Sequence, residues 1–190
     1  MTRSSVQSGY LSPQIVVDKA SQVAEDLERG PSLSVVQCGA ALASQGYIPL
    51  LERLWLYNLD TSLVPASDLS SLVKCVTNLF GINNVTGDLA PVLSNLQCRM
   101  LYIFNTSLTT ADTQQLVAAM DTRVKEVTLE SGITLDIETL AQYNGMGECE
   151  KVIFRGESSM RYKNQAKVWA GNMGWRIEEA NTGDIFIKRK

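Results

Sequence analysis

Arg99-Met100-Leu101-Tyr102-Ile103-Phe104-Asn105-Thr106-Ser107-Leu108 (RMLYIFNTSL) is the stretch on which the fold turns. Successive side chains of a strand point to opposite faces, so Leu101 and Ile103 share one face and Tyr102 and Phe104 the other. Both faces are apolar. The protein's own core covers one of them, and the second calls for a different explanation.

Extended back to Cys98, the block CRMLYIFN recurs along the chain. LERLWLYN begins at Leu51, VTNLFGIN at Val76, VKEVTLES at Val124, CEKVIFRG at Cys149 and, more weakly, GWRIEEAN at Gly174. The fourth position reads Leu54, Leu79, Leu101, Val127, Val152 and Ile177, in steps of 25, 22, 26, 25 and 25 residues. Between blocks, Asp68, Asp88, Asp112 and Asp136 stand shortly before apolar patterns of helical spacing. A carboxylate there accepts free amide hydrogens and sits at the positive end of the helix dipole. The stripes that follow are Leu69 with Leu72 and Val73, Leu89 with Leu93 and Leu96, Leu116 with Ala119 and Met120, and Ile137 with Leu140. A fifth carries Tyr162, Ala166, Trp169 and Met173, which read as core.

Each unit is therefore a short strand, a turn and a helix in about 25 residues, a length typical of strand–helix repeats. Neither element buries its apolar side alone; stacking does so, with strands beside strands and helices beside helices. Right-handed crossovers between consecutive strands make the sheet parallel.

The block L-x-x-L-x-L-x-N followed by an N-capped helix resembles leucine-rich repeats. The run from Leu101 through Asn105, Thr106, Leu108, Thr109 and Asp112 to Met120 is similar to the ribonuclease-inhibitor-like subtype, which also forms the repeat region of NOD-like receptors. The resemblance spans about residues 48–180 and is strongest over 51–140. Gly81 departs from it where a core leucine is expected, and Glu179 would be a buried charge. The asparagine also falls one place early. The resemblance implies an α/β right-handed leucine-rich-repeat solenoid, with a parallel sheet on the concave face and helices on the convex face. Residues 13–47 are an N-terminal helical cap or degenerate repeat, 48–174 the repeats, and 175–190 the last strand and a C-terminal hairpin cap, after a flexible lead-in over 1–12. The cap assignments have local support. Pro13 opens and Gly30 follows one helix candidate, Ser34–Ser44 is a second, and Asn181-Thr182-Gly183-Asp184 reads as a hairpin turn.

In this register positions five and seven point outward. They are Trp55 and Tyr57, Phe80 and Ile82, Tyr102 and Phe104, then Thr128 and Glu130, Ile153 and Arg155. An apolar, aromatic patch rimmed by charge marks a contact site, so Trp55, Tyr57, Phe80, Ile82, Tyr102, Phe104, Glu130 and Arg155 are the expected partner-binding residues. Two structural readings compete. The N-terminal helices could fold across the rings, or the rings could serve only cross-strand packing. Gly81 also allows the second unit to be out of phase. A non-catalytic protein-interaction module is expected, with the NOD-like resemblance pointing to the recognition end of an innate-immune receptor. A ubiquitin-ligase-type adaptor and a self-associating homodimeric scaffold are the alternatives.

Composition narrows the chemistry. The 190-residue chain holds no histidine, which removes Ser-His-Asp and Cys-His nucleophile pairs and histidine-bound metals. No phosphate-cradling glycine motif is present, and no cofactor or metal is expected. The best carboxylate pairs are Glu126 with Glu130 near Lys125, and Glu178 with Glu179 near Arg176; surface charges beside basic residues read as solvated, so an enzyme is not expected. Net charge is −3, and residues 149–190 carry 9 basic and 5 acidic side chains, an interspersed face rather than a nucleic-acid site. No apolar run is long enough for a membrane span. The N-terminus lacks a signal-peptide core, and Cys38, Cys75, Cys98 and Cys149 form no C-x-x-C pair. Reduced, buried thiols and a cytoplasmic location follow as expectations, with the sequons at Asn84 and Asn105 read as chance.

Overall fold

The computed structural model describes residues 13–190. The expected lead-in over 1–12 lies outside the described residues. Helix α1 (Pro13–Glu28) starts at its proline. Helix α2 (Leu33–Ser44) is capped by Ser32, whose hydroxyl accepts from the Val35 amide. Five strand–helix steps follow: β1 (Leu51–Tyr57) with a 3-10 turn and α3 (Ala66–Lys74), β2 (Val76–Asn83) with α4 (Ala90–Leu93), β3 (Met100–Phe104) with α5 (Thr110–Thr122), β4 (Glu126–Leu129) with α6 (Ile137–Leu140), and β5 (Lys151–Phe154) with α7 (Glu157–Met173). A terminal pair, β6 (Arg176–Glu179) and β7 (Ile185–Lys188), completes one seven-stranded sheet in the order β1-β2-β3-β4-β5-β7-β6. Pairings from β1 to β5 are parallel, and those of β7 with β5 and β6 are antiparallel.

One face of the sheet forms the core. Leu54, Leu56, Phe80, Ile82, Leu101, Ile103, Val127, Leu129, Val152 and Phe154 are buried against Leu69, Leu72 and Val73 of α3, Val92 and Leu93 of α4, Leu116 and Met120 of α5, and Leu140 of α6. The four aspartates differ in how they meet the helix starts. Asp136 is the N-cap of α6 and accepts from the Thr139 amide (3.2 Å) and hydroxyl (2.8 Å). Asp112 instead completes a capping box in which Thr109 is the N-cap. Asp88 accepts from the Ala90 amide, and Asp68 sits in the first turn of α3 without capping it.

The strand ends share a turn. Asn58, Asn84 and Asn105 adopt positive φ (51°, 54° and 42°), and Gly132 and Gly156 do the same after β4 and β5. Asparagine tolerates this left-handed conformation, and the side chains ladder across the stack: Asn84 Nδ2 donates to Asn58 Oδ1 at 2.9 Å, and Asn105 Nδ2 to Asn83 Oδ1 at 3.1 Å.

Two expected placements are corrected here. Leu51 pairs with Val76, but Arg53 pairs with Leu79, so β2 holds one extra residue beside Glu52. This bulge shifts the rest of β2 by one place, and a one-residue slip exchanges its two faces. Phe80 and Ile82 therefore pair with Leu101 and Ile103 and are fully buried, while Leu79 and Gly81 face outward. Leu54, Phe80, Leu101, Val127 and Val152 are the adjacent rungs, with Phe80 in the place expected for Leu79. The second correction concerns the sixth block, which adds no parallel strand. β6 is exposed along its length, whereas Ile185 and Ile187 of β7 are buried. The turn at Gly183 (φ 87°) folds β7 back so that these isoleucines extend the inner row beside β5. Glu179 is accordingly a surface residue, paired with Lys163 and Lys167.

Candidate binding surface

The face of the sheet turned away from the core carries three rows. The row nearest the strand starts runs Arg53, Leu79, Met100, Glu126, Lys151, Lys188. The middle row runs Trp55, Gly81, Tyr102, Thr128, Ile153, Phe186. Tyr57, Asn83 and Phe104 begin the third, which Glu130 and Arg155 continue just past β4 and β5.

Four of the expected residues form one cluster. The Trp55 ring lies 5.8 Å from Tyr57, 5.6 Å from Tyr102 and 5.7 Å from Phe104, and Tyr102 stacks on Phe104 at 6.3 Å. Offset and tilted rings at these separations attract beyond their area burial. Trp55 reaches Tyr102 because Gly81 lies between them without a side chain: a Cβ there would stand 2.1 Å from the indole. Tyr57 remains 47% exposed, and Trp55, Tyr102 and Phe104 are half-buried, so the cluster stays open to solvent. The C-terminal end of helix α1, with Glu28, Arg29 and Gly30, borders a hollow of about 350 Å³ that Arg53, Trp55 and Tyr57 also line. Ring-to-ring packing and an accessible patch are thus both present.

Glu130 and Arg155 come together at the far end of the face. Arg155 Nε stands 3.8 Å from Asp184 Oδ2, and Asp184 accepts from the Gly156 amide. Burial pushes the Glu130 carboxyl above its ordinary range, the Arg155 cation draws it down and Asp184 pushes it up. Beneath them Thr128 is fully buried and its hydroxyl has no partner among the described residues. Ile153 is outward in register yet 2% exposed, packed beside Phe186 of β7. Lys151 and Lys188 in turn approach the Phe186 ring at 6.0 and 5.4 Å. The sheet's outer face is thus aromatic over β1–β3, while over β4–β7 charged rows flank Thr128, Ile153 and Phe186.

The carboxylate pairs weighed for acid–base chemistry are engaged elsewhere. Glu126 binds Lys151 at 3.1 Å, and Glu178 binds Lys188 at 2.6 Å, which with Arg176 nearby holds its carboxyl below the ordinary range. Glu179 is held low by Lys163 and Lys167. Cys98 and Cys149 are buried thiols whose pKa burial pushes up to about 12, while Cys75 is half-buried and Cys38 exposed, short of the four buried thiols expected. No helix among the described residues is long and apolar enough to cross a membrane.

Three further residues shape the cluster without having been among those expected: Gly81 is its floor, and Leu79 and Met100 are its half-buried apolar border. The signal for Gly81 and Leu79 lay in the second block, where Phe80 and Ile82 flank Gly81 as the more apolar pair; Met100 belongs to the third block, next to the inward Leu101.

Comparison with protein-family models gives no match, and comparison with curated proteins gives none either. Among solved structures, the chain is similar to archaeal TYW1 at 12% identity, over all of this chain and 73% of that one, with a TM-score of 0.38. A score of that size is too low to carry a fold assignment.

Proposed function

We propose that this chain is a non-catalytic protein-interaction module, a right-handed leucine-rich-repeat solenoid of the ribonuclease-inhibitor-like subtype that binds a protein on the concave, helix-free face of its sheet. The observation that carries the reading is the open cluster of Trp55, Tyr57, Tyr102 and Phe104 on that face. Five consecutive parallel strands in sequence order, each ending in a left-handed Asn or Gly, favour the repeat architecture. Aromatic side chains lead the residues that dominate interface energies. Burying ~300 Å² of such surface contributes about 7 kcal/mol at ~25 cal/mol per Å² before the costs of association. A rigid sheet keeps those costs low, since the rings are ordered before a partner arrives. The likeness to NOD-like receptor repeats extends the proposal to a recognition role in innate-immune sensing in the cytoplasm.

Replacing Trp55, Tyr57, Tyr102 and Phe104 together by serine is expected to abolish partner capture and to leave the far-UV circular dichroism spectrum unchanged. Capture that survives in the folded variant would overturn the assignment of this face. Light scattering over a dilution series reads the homodimeric alternative: a dimer that the serine variant dissolves makes the partner a second copy of the chain.

A further inference from the structure

The outer face is not evenly charged. Along its strand-start edge runs a cavity of about 570 Å³, lined by six cationic side chains and two carboxylates and bordered by Met100. Its cations differ in what holds them. Lys125 is bound by Glu148 and Glu150 at 3.6 Å each, Lys151 by Glu126, and Lys188 by Glu178. Arg189 points its guanidinium at the backbone carbonyls of Gly145, Gly147 and Cys149. Lys190 is exposed and forms no ion pair among the described residues; neither does Arg99, also exposed, just before β3. Arg53 of β1, also exposed and without an ion pair among the described residues, stands at the same edge, two strands away or about 10 Å across the sheet. Leu79 of β2 lies between the strands that carry the two arginines, Met100 adjoins Arg99 in the chain, and the ring cluster begins one row further along the strands.

We infer that this face takes an extended polypeptide segment bearing both apolar side chains and carboxylates, the rings with Leu79 and Met100 receiving the former and Arg53 and Arg99 the latter. The inference rests on the interaction-module reading and names the chemistry of its partner. Charge complementarity carries it: a guanidinium offers parallel donors that match a carboxylate, and these two are the cations beside the rings left unpaired among the described residues. A polyphosphate backbone fits the surface less well. Its evenly repeated charges would meet Glu126 and Glu150 in the same cavity, where Lys125 and Lys151 are already paired with carboxylates. Discrete carboxylates of a peptide avoid those positions.

Selection of a displayed library of random dodecapeptides on the immobilised full chain tests this. Three proteins are compared: wild type, the Arg53→Glu/Arg99→Glu variant and the four-serine ring variant, each checked for folding by circular dichroism. Wild type is expected to enrich Asp and Glu at least twofold over the input pool together with Leu, Phe or Trp. The Arg53→Glu/Arg99→Glu variant is expected to invert the charge preference to Lys and Arg while keeping the apolar one. The ring variant is expected to enrich nothing. A wild-type pool that is apolar but neutral or basic overturns the acidic-partner inference and leaves the ring face standing. Enrichment that ignores the ring variant overturns the underlying reading as well. Failure of wild type to enrich any pool, or tighter retention of oligouridylate than of the selected acidic peptides, overturns the inference outright.

Discussion

Gly81 has no side chain, and the space above it is filled by the indole of Trp55. Within a strand interior a glycine is a weak choice, since it packs nothing and costs backbone entropy. Here its bareness lets a ring cross a whole strand and touch Tyr102. Gly81→Ala is therefore expected to destabilise the chain by about 1–3 kcal/mol, the usual cost of forcing extra volume into a packed site. In a Trp55→Ala background the same substitution should cost little, because the atom it meets is gone. Urea unfolding of the four proteins measures this as a double-mutant cycle, and equal costs in both backgrounds would show that the ring is not seated on Gly81.

At the scale of an element, β2 illustrates how one inserted residue changes the meaning of a strand. The bulge beside Glu52 puts Phe80 and Ile82 into the core and hands the outward positions to Leu79 and Gly81. Phe80→Ala is expected to cost about 3–5 kcal/mol, as for any large ring removed from a packed interior. Denaturant titration checks it; a loss within about 0.5 kcal/mol, the range typical of surface substitutions, would return Phe80 to the outer face. The block pattern was legible because leucines recur at strand spacing, and the helices were legible because Leu69, Leu72 and Val73, and again Leu116, Ala119 and Met120, recur at helical spacing. The phase of the second block was not, since Val76-Thr77-Asn78-Leu79-Phe80-Gly81-Ile82 presents apolar residues to both faces and only pairing with β1 and β3 selects one.

At the scale of the whole molecule, the end of the chain is tied back to its last parallel strand. The Arg189 guanidinium reaches the carbonyls of Gly145 and Cys149 at 3.0 and 2.7 Å, with Gly147 and the Tyr143 hydroxyl beside them, and lies 5.4 Å from the Trp175 ring centre. It joins the end of β7 to the α6–β5 connection and so holds the antiparallel pair against β5. Arg189→Met keeps much of the stem but removes every donor, and is expected to cost about 2 kcal/mol, the range of hydrogen bonds to a charged group. Amide exchange over residues 143–149 should accelerate in the variant, and Arg189→Lys should restore it only in part because an ammonium lacks the planar fork. Unchanged exchange there would remove the clamp from the account.

The amino-acid sequence by itself determined the alternating strand–helix unit, the parallel order of five strands, the inner residues of β1 and β3–β5 and four of the outward rings, because periodicity and turn residues are local properties of a chain. It also marked Asn181–Asp184 as a hairpin turn. Tertiary structure alone decided three things: the register of β2, the insertion of β7 between β5 and β6, and the laying of Trp55 over Gly81. Each is a choice between alternatives that are equal along the chain and become unequal only when a neighbouring strand supplies hydrogen-bond partners and a surface to bury against.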